Sequence, residues 1–129
     1  MLAVDTNIVV RLLTADDPRQ TAQVQRIFAR ESVLIPKTVM LEAEWVLRRA
    51  YRFGSGQIGA AFTRLIGLPN VECEDAPAVE DAIQWMRGGL DFADALHLAS
   101  ARPAGRLATF DRKLIARARK IADVPLVRA

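Results

Sequence analysis

Two short apolar runs in this chain each end on an aspartate that opens a helical pattern. Leu2-Ala-Val leads into Asp5, and Leu107-Ala-Thr-Phe leads into Asp111. A strand that hands over to a helix needs a crossover to reach its next strand, and repetition of that unit builds a parallel sheet. The rest of the chain keeps the alternation. Further strands are expected at Val33–Ile35, Val71–Glu74 and Pro125–Val127. Helices are expected from Thr6, then over Gln20–Arg30, Lys37–Arg52, Ile58–Leu68, Ala78–Met86, Asp91–Ala101 and Asp111–Ala122. The expectation is an α/β fold in one domain over residues 1–129. Its mainly parallel central sheet has about 4–5 short strands, flanked by about 7 helices.

Composition narrows what such a fold can do. Half of the residues are apolar, which supports a buried core and excludes disorder. Cys73 is the single cysteine, so no internal disulfide or cysteine-based zinc site can form, and a reducing cytoplasm suits the chain. A charge at Asp5 interrupts what a signal peptide would need, and no apolar run is long enough to span a membrane. Charge is unevenly spread. Glu72 to Asp94 holds seven acids against Arg87, whereas Arg102 to Ala129 holds eight basic residues against Asp111 and Asp123. Such a tail either steers a polyanion or is a solvated helix face.

Ligands of open parallel sheets bind beyond the carboxyl ends of the strands, which is where Asp5 and Asp111 fall. Either one is also a good helix N-cap. Asp94 is harder to explain locally. In Gly89-Leu-Asp-Phe-Ala-Asp-Ala-Leu-His, Asp91 can cap the helix, and Asp94 could reach back as in a capping box. Flanked by Ala93, Ala95, Leu96 and Leu98, however, Asp94 would be costly to bury without a partner or a cation.

In the helix from Lys37, residues Val39, Ala43, Val46, Leu47 and Ala50 outline an apolar face, with Glu42 and Glu44 on opposite borders. Periodicity does not choose between the two glutamates. Trp45 points away from that face, which requires cover from elsewhere in the monomer or from a partner. His97 is the only histidine and lacks the companions of a zinc site. No Gly-x-Ser-x-Gly elbow, phosphate loop or dinucleotide fingerprint is present; the glycines at 54–56 and 88–89 read as helix stops.

Four segments carry a resemblance: Leu2-Ala-Val-Asp-Thr-Asn-Ile, Val39-Met-Leu-Glu-Ala-Glu-Trp-Val-Leu, Gly89-Leu-Asp-Phe-Ala-Asp-Ala-Leu-His-Leu-Ala and Ala108-Thr-Phe-Asp-Arg-Lys-Leu. In this order they resemble the PIN-domain family, in particular the VapC-type toxins of bacterial toxin–antitoxin pairs, from Leu2 to about Val127. The resemblance implies a single PIN-like domain over 1–129 and a catalytic quartet of Asp5, Glu42, Asp94 and Asp111. Glu44 is the less favoured choice beside Glu42. Thr6, Asn7, Asp91 and Thr109 would be supporting polar positions, Asp91 either as an additional acid or as a cap alone.

By the same resemblance the activity is that of a Mg²⁺-dependent ribonuclease, with Mn²⁺ as an alternative cation. Carboxylates brought together repel unless cations neutralise them, and hard oxygen donors suit these ions. Asp5 and Asp94 would be the main ligands, Asp111 a ligand through water or to a second ion, and Glu42 the group that orients the attacking water or accepts its proton. The partners implied are RNA, a cognate antitoxin and a second copy of the chain in a homodimer. A PIN-like binding or dimerisation module acting through the antitoxin is the competing reading. A phosphoryl-accepting receiver domain fits poorly, because it wants paired acids after its first strand and a lysine after its last.

Overall fold

Short, mainly apolar runs make five strands in the computed structural model, which describes Met1–Ala129, and seven α-helices stand between them. The chain divides into two compact units, Met1–Ala76 and Pro77–Ala129.

The first unit contains β1 (Leu2–Ala3), α1 (Thr6–Thr14), α2 (Pro18–Arg30), β2 (Val33–Ile35), α3 (Lys37–Arg49), α4 (Ser55–Ile66) and β3 (Val71–Cys73). Its three strands are parallel in the order β1-β2-β3, with Leu2 opposite Val33 and Val33 opposite Val71. Each crossover uses a pair of helices. The central strand is buried through Val33 and Ile35, as a strand with a neighbour on each side should be.

Local chemistry sets the helix ends. Asp5 and Asp17 cap α1 and α2, and Pro18 takes the first position of α2, two residues ahead of the expected start. Pro36 offers α3 no side-chain cap; instead Glu74, just past β3, accepts the N–H of Lys37 at 2.8 Å. Arg52 adopts a left-handed φ of 56°, which stops α3 at Arg49 rather than Arg52. Gly54-Ser55-Gly56 is more a helix start than a stop. Gln57 reaches back to the N–H of Gly54 at 3.2 Å, and α4 already runs from Ser55.

The second unit contains α5 (Ala76–Arg87), which opens at the junction, then α6 (Phe92–Ser100), a 3₁₀ turn at Arg102–Ala104, β4 (Leu107–Thr109), α7 (Arg112–Ile121) and β5 (Leu126–Arg128). β4 and β5 are parallel, joined by α7, with Thr109 opposite Arg128. Arg102 ties the unit together. Its guanidinium holds Asp81 and Asp123, each at 2.7 Å, and lies over the ring of Trp85.

Five parallel strands and seven helices match the α/β expectation, but hydrogen bonding sorts the strands into a sheet of three and a sheet of two. Strands of two or three residues have only a few ladder bonds each, so their pairing is set by the packing of the helices that deliver them.

Candidate active-site carboxylates

In the first unit the site grows from the junction of β1 and α1. Asp5 leaves the strand in extended conformation, and its Oδ1 accepts the N–H of Ile8 at 3.2 Å. The cap uses one carboxylate oxygen and leaves Oδ2 without a partner in the chain. Thr6, buried at the first turn of α1, donates its hydroxyl to Oε1 of Glu42 on α3. Asp5, Thr6, Asn7 and Glu42 line one groove of about 380 Å³, floored by Val39 and Val46.

This arrangement separates the two glutamates. The core face of α3 is Met40, Ala43, Glu44 and Leu47, rotated from the outline given by Val39, Val46 and Ala50. Val39 and Val46 are only half-buried and border the groove, and Ala50 is exposed. Glu44 is 5% exposed and spends its charge on Arg48, whose Nε lies 2.6 Å from Oε2. Glu42 faces the groove. Trp45 is 58% exposed, so the monomer leaves most of it uncovered. Arg49 lies over it, with the guanidinium carbon 5.7 Å from the ring centroid.

In the second unit, Asp91 caps α6 by accepting the N–H of Asp94 at 3.2 Å, and Asp111 caps α7 by accepting those of Lys113 and Leu114 at 3.0 Å. Thr109 supports the second turn, its hydroxyl oxygen accepting the N–H of Asp111 at 3.0 Å. The caps expected of Asp5, Asp91 and Asp111 are therefore present. Asp94 does not reach back as a capping-box residue; its half-buried carboxylate has neither hydrogen bond nor ion pair in the chain. Burial foremost, and then the charges of Asp91 and Asp111, hold it above the ordinary aspartate range, with a smaller opposing effect from His97. His97 itself is exposed.

No group of three or more His, Cys, Asp or Glu side chains is gathered closely enough to hold a metal ion by itself. The donors are nevertheless of the hard, anionic type that suits Mg²⁺ or Mn²⁺. Asp94 in particular is a carboxylate among carboxylates, short of positive charge. What the protein alone leaves uncompensated there, a divalent cation would compensate.

A second feature of the first unit escaped the sequence reading. Arg11 donates to Gln20 through Nε at 2.6 Å and to Asp16 and Tyr51 through Nη1 at 3.0 Å, and Tyr51 donates in turn to Asp16 at 2.7 Å. This network edges a mainly apolar cleft of about 350 Å³ between α1 and α2, lined by Ile8, Val24 and Ile27 and reaching Asp5. Arg11, Asp16 and Gln20 are near in sequence, but Tyr51 lies 40 residues from Arg11 and only the fold brings it to them.

Residues 2–120 match the PIN domain family. No curated protein matches the chain. Among solved structures it is similar to Mycobacterium tuberculosis VapC20, described as a Sarcin-Ricin loop cleaving toxin. That likeness has 28% identity, covers 90% of this chain and 94% of the other, and has a TM-score of 0.43.

Proposed function

This chain belongs to the PIN-domain family, and we propose that it is a metal-dependent endoribonuclease acting as the toxin of a toxin–antitoxin pair. The observation that carries the reading is Asp94, a half-buried acid without a protein partner, held above the ordinary range by burial and by two neighbouring acids. Such an arrangement costs a scaffold or binding module stability, whereas an unpaired acid among acids suits a site that recruits cations.

Asp5, Asp94 and Asp111 would hold Mg²⁺ or Mn²⁺ in part through the ion's own bound waters, and the ion would supply positive charge to the scissile phosphate and make a water molecule easier to deprotonate. The chain supplies the rest. Caps at Asp5 and Asp111 fix each carboxylate by one oxygen and leave the other for ligation. Thr6 holds Glu42 by its Oε1, leaving Oε2 to accept the proton of the attacking water. The water oxygen bonds to phosphorus, the bond from phosphorus to one ribose oxygen breaks, and that oxygen leaves with a proton from solvent. Asn7 borders the groove and can donate to a phosphate oxygen.

The antitoxin would dock in the apolar cleft between α1 and α2, whose proximity to Asp5 lets one partner both bind and block the site. Exposed Trp45 offers a contact for a second copy of the chain in the proposed homodimer. A cytoplasmic location follows from this activity, since its substrate is RNA; no helix is long and apolar enough to cross a membrane.

The test is cleavage of total cellular RNA by the purified chain with Mg²⁺ or Mn²⁺. Discrete fragments are expected with either ion and none in excess chelator. Cleavage that persists in chelator, or no cleavage with any divalent ion, contradicts the proposal.

A further inference from the structure

The eight basic residues of the C-terminal segment are not equivalent once placed. Arg102 is consumed by Asp81 and Asp123. Helix α7 carries two separate basic faces on either side of its buried stripe of Leu114, Ile115 and Ala118. Lys113, Arg117 and Lys120 share one of them at helical spacing. On the other, Arg112 and Arg119 stand two turns apart, and Arg128 of β5 joins them around a groove of about 280 Å³ floored by Ile115 and Ala116. No ion pair takes up any of these three guanidiniums, and all three are exposed.

The groove adjoins one proposed catalytic acid in the chain, Asp111. Arg112 directly follows Asp111, and Arg128 is in register with Thr109, whose hydroxyl supports the Asp111 turn. Phe110 lies between Thr109 and Asp111 with 81% of its surface exposed. Unpaired cations alone would suit any polyanion. Cations that begin two residues along the chain from an aromatic residue held out in water suit a single-stranded nucleic acid, whose phosphates take the guanidiniums while a base stacks on the ring. An acidic protein segment would leave the ring without use.

We propose that Arg112, Arg119 and Arg128 bind the phosphodiester backbone of single-stranded RNA leading away from Asp111, with Phe110 as a stacking platform for an adjacent base. The proposal rests on the nuclease reading, and it adds the direction in which the substrate runs and the form it takes.

The experiment measures binding of a labelled single-stranded RNA oligonucleotide of mixed sequence to the full chain in EDTA, where cleavage plays no part, from 50 to 200 mM salt. Loss of three phosphate contacts lowers the slope of log K against log salt by about 2, so the wild-type chain loses about 20-fold more affinity over that range than the triple Arg→Gln variant at 112, 119 and 128. The control is the triple Gln variant at Lys113, Arg117 and Lys120, which removes the same charge from the other face and is expected to change the slope by less than about 0.5. Phe110→Ala is expected to weaken binding by about 10-fold at every salt concentration with an unchanged slope.

Equal effects of the two triple variants would overturn the proposal in favour of diffuse charge. So would an unchanged RNA slope accompanied by loss of binding to polyglutamate, which would indicate an acidic protein partner. Binding in EDTA without any cleavage in Mg²⁺ would sink the nuclease reading and keep the groove. Cleavage with no slope change would do the reverse.

Discussion

Asp94→Asn is expected to lower RNA cleavage by about 100-fold or more while making the protein slightly more stable at neutral pH. The two effects have one cause. Asp94 has no hydrogen-bond or ion-pair partner, and burial with the neighbouring charges of Asp91 and Asp111 raises its pKa. A carboxyl whose pKa is raised on folding binds protons more readily in the folded state than in the unfolded one. Its contribution to stability is therefore fully present below the ordinary value of 3.8 and is lost as pH rises through the folded value. At neutral pH, without divalent ions, Asn removes that penalty at nearly constant shape. The gain is small because the group is half-exposed and solvent screens it, so the melting temperature rises by about 1–2 °C. At pH values below 3.8 the difference between variant and wild type should vanish. Melting curves in chelator at neutral and acidic pH check the sign. A variant that melts lower at neutral pH would mean that Asp94 is structural.

Glu42 and Glu44, two residues apart on α3, are expected to separate activity from stability. Glu44 is buried and paired with Arg48, so Glu44→Ala leaves a cation facing an empty place. Because Arg48 retains access to water, the loss is about 2 kcal/mol, or about 7 °C in melting temperature, with activity per folded molecule within about 3-fold of wild type. Glu42 is exposed to the groove and held by the Thr6 hydroxyl. Glu42→Gln is expected to melt within about 2 °C of wild type and to lose about 100-fold or more in cleavage rate, as for a displaced general base. The reverse pattern would transfer the catalytic role to Glu44.

This pair also shows how far the sequence could be read. An apolar stripe of Val39, Ala43, Val46 and Leu47 placed both glutamates at its borders. The choice depends on which way the helix turns, and Met40 together with the Glu44–Arg48 pair turns Glu44 inward. A buried acid satisfied four residues away looks like surface patterning in one dimension. The strands before Asp5 and Asp111 and the caps they supply were legible because a short apolar run followed by an N-cap is a local signal. The separation of β1–β3 from β4–β5 was not, because hydrogen-bond partners of such short strands are not encoded locally. Nor was the arginine groove. Counting charges showed a basic tail, but only the register of β5 brings Arg128 beside α7.

The proposed function requires that Asp5 and Asp94 serve one hydrolysis. A double-mutant cycle on RNA cleavage tests it most directly, with Asp5→Asn, Asp94→Asn and the double variant all verified as folded. Groups that act on one step are grossly non-additive. Each single variant is expected to lose about 100-fold, and the double variant to lie within about 10-fold of either. A double variant slower by the product of the two losses, about 10⁴-fold, would show that the two acids act independently and would contradict the account.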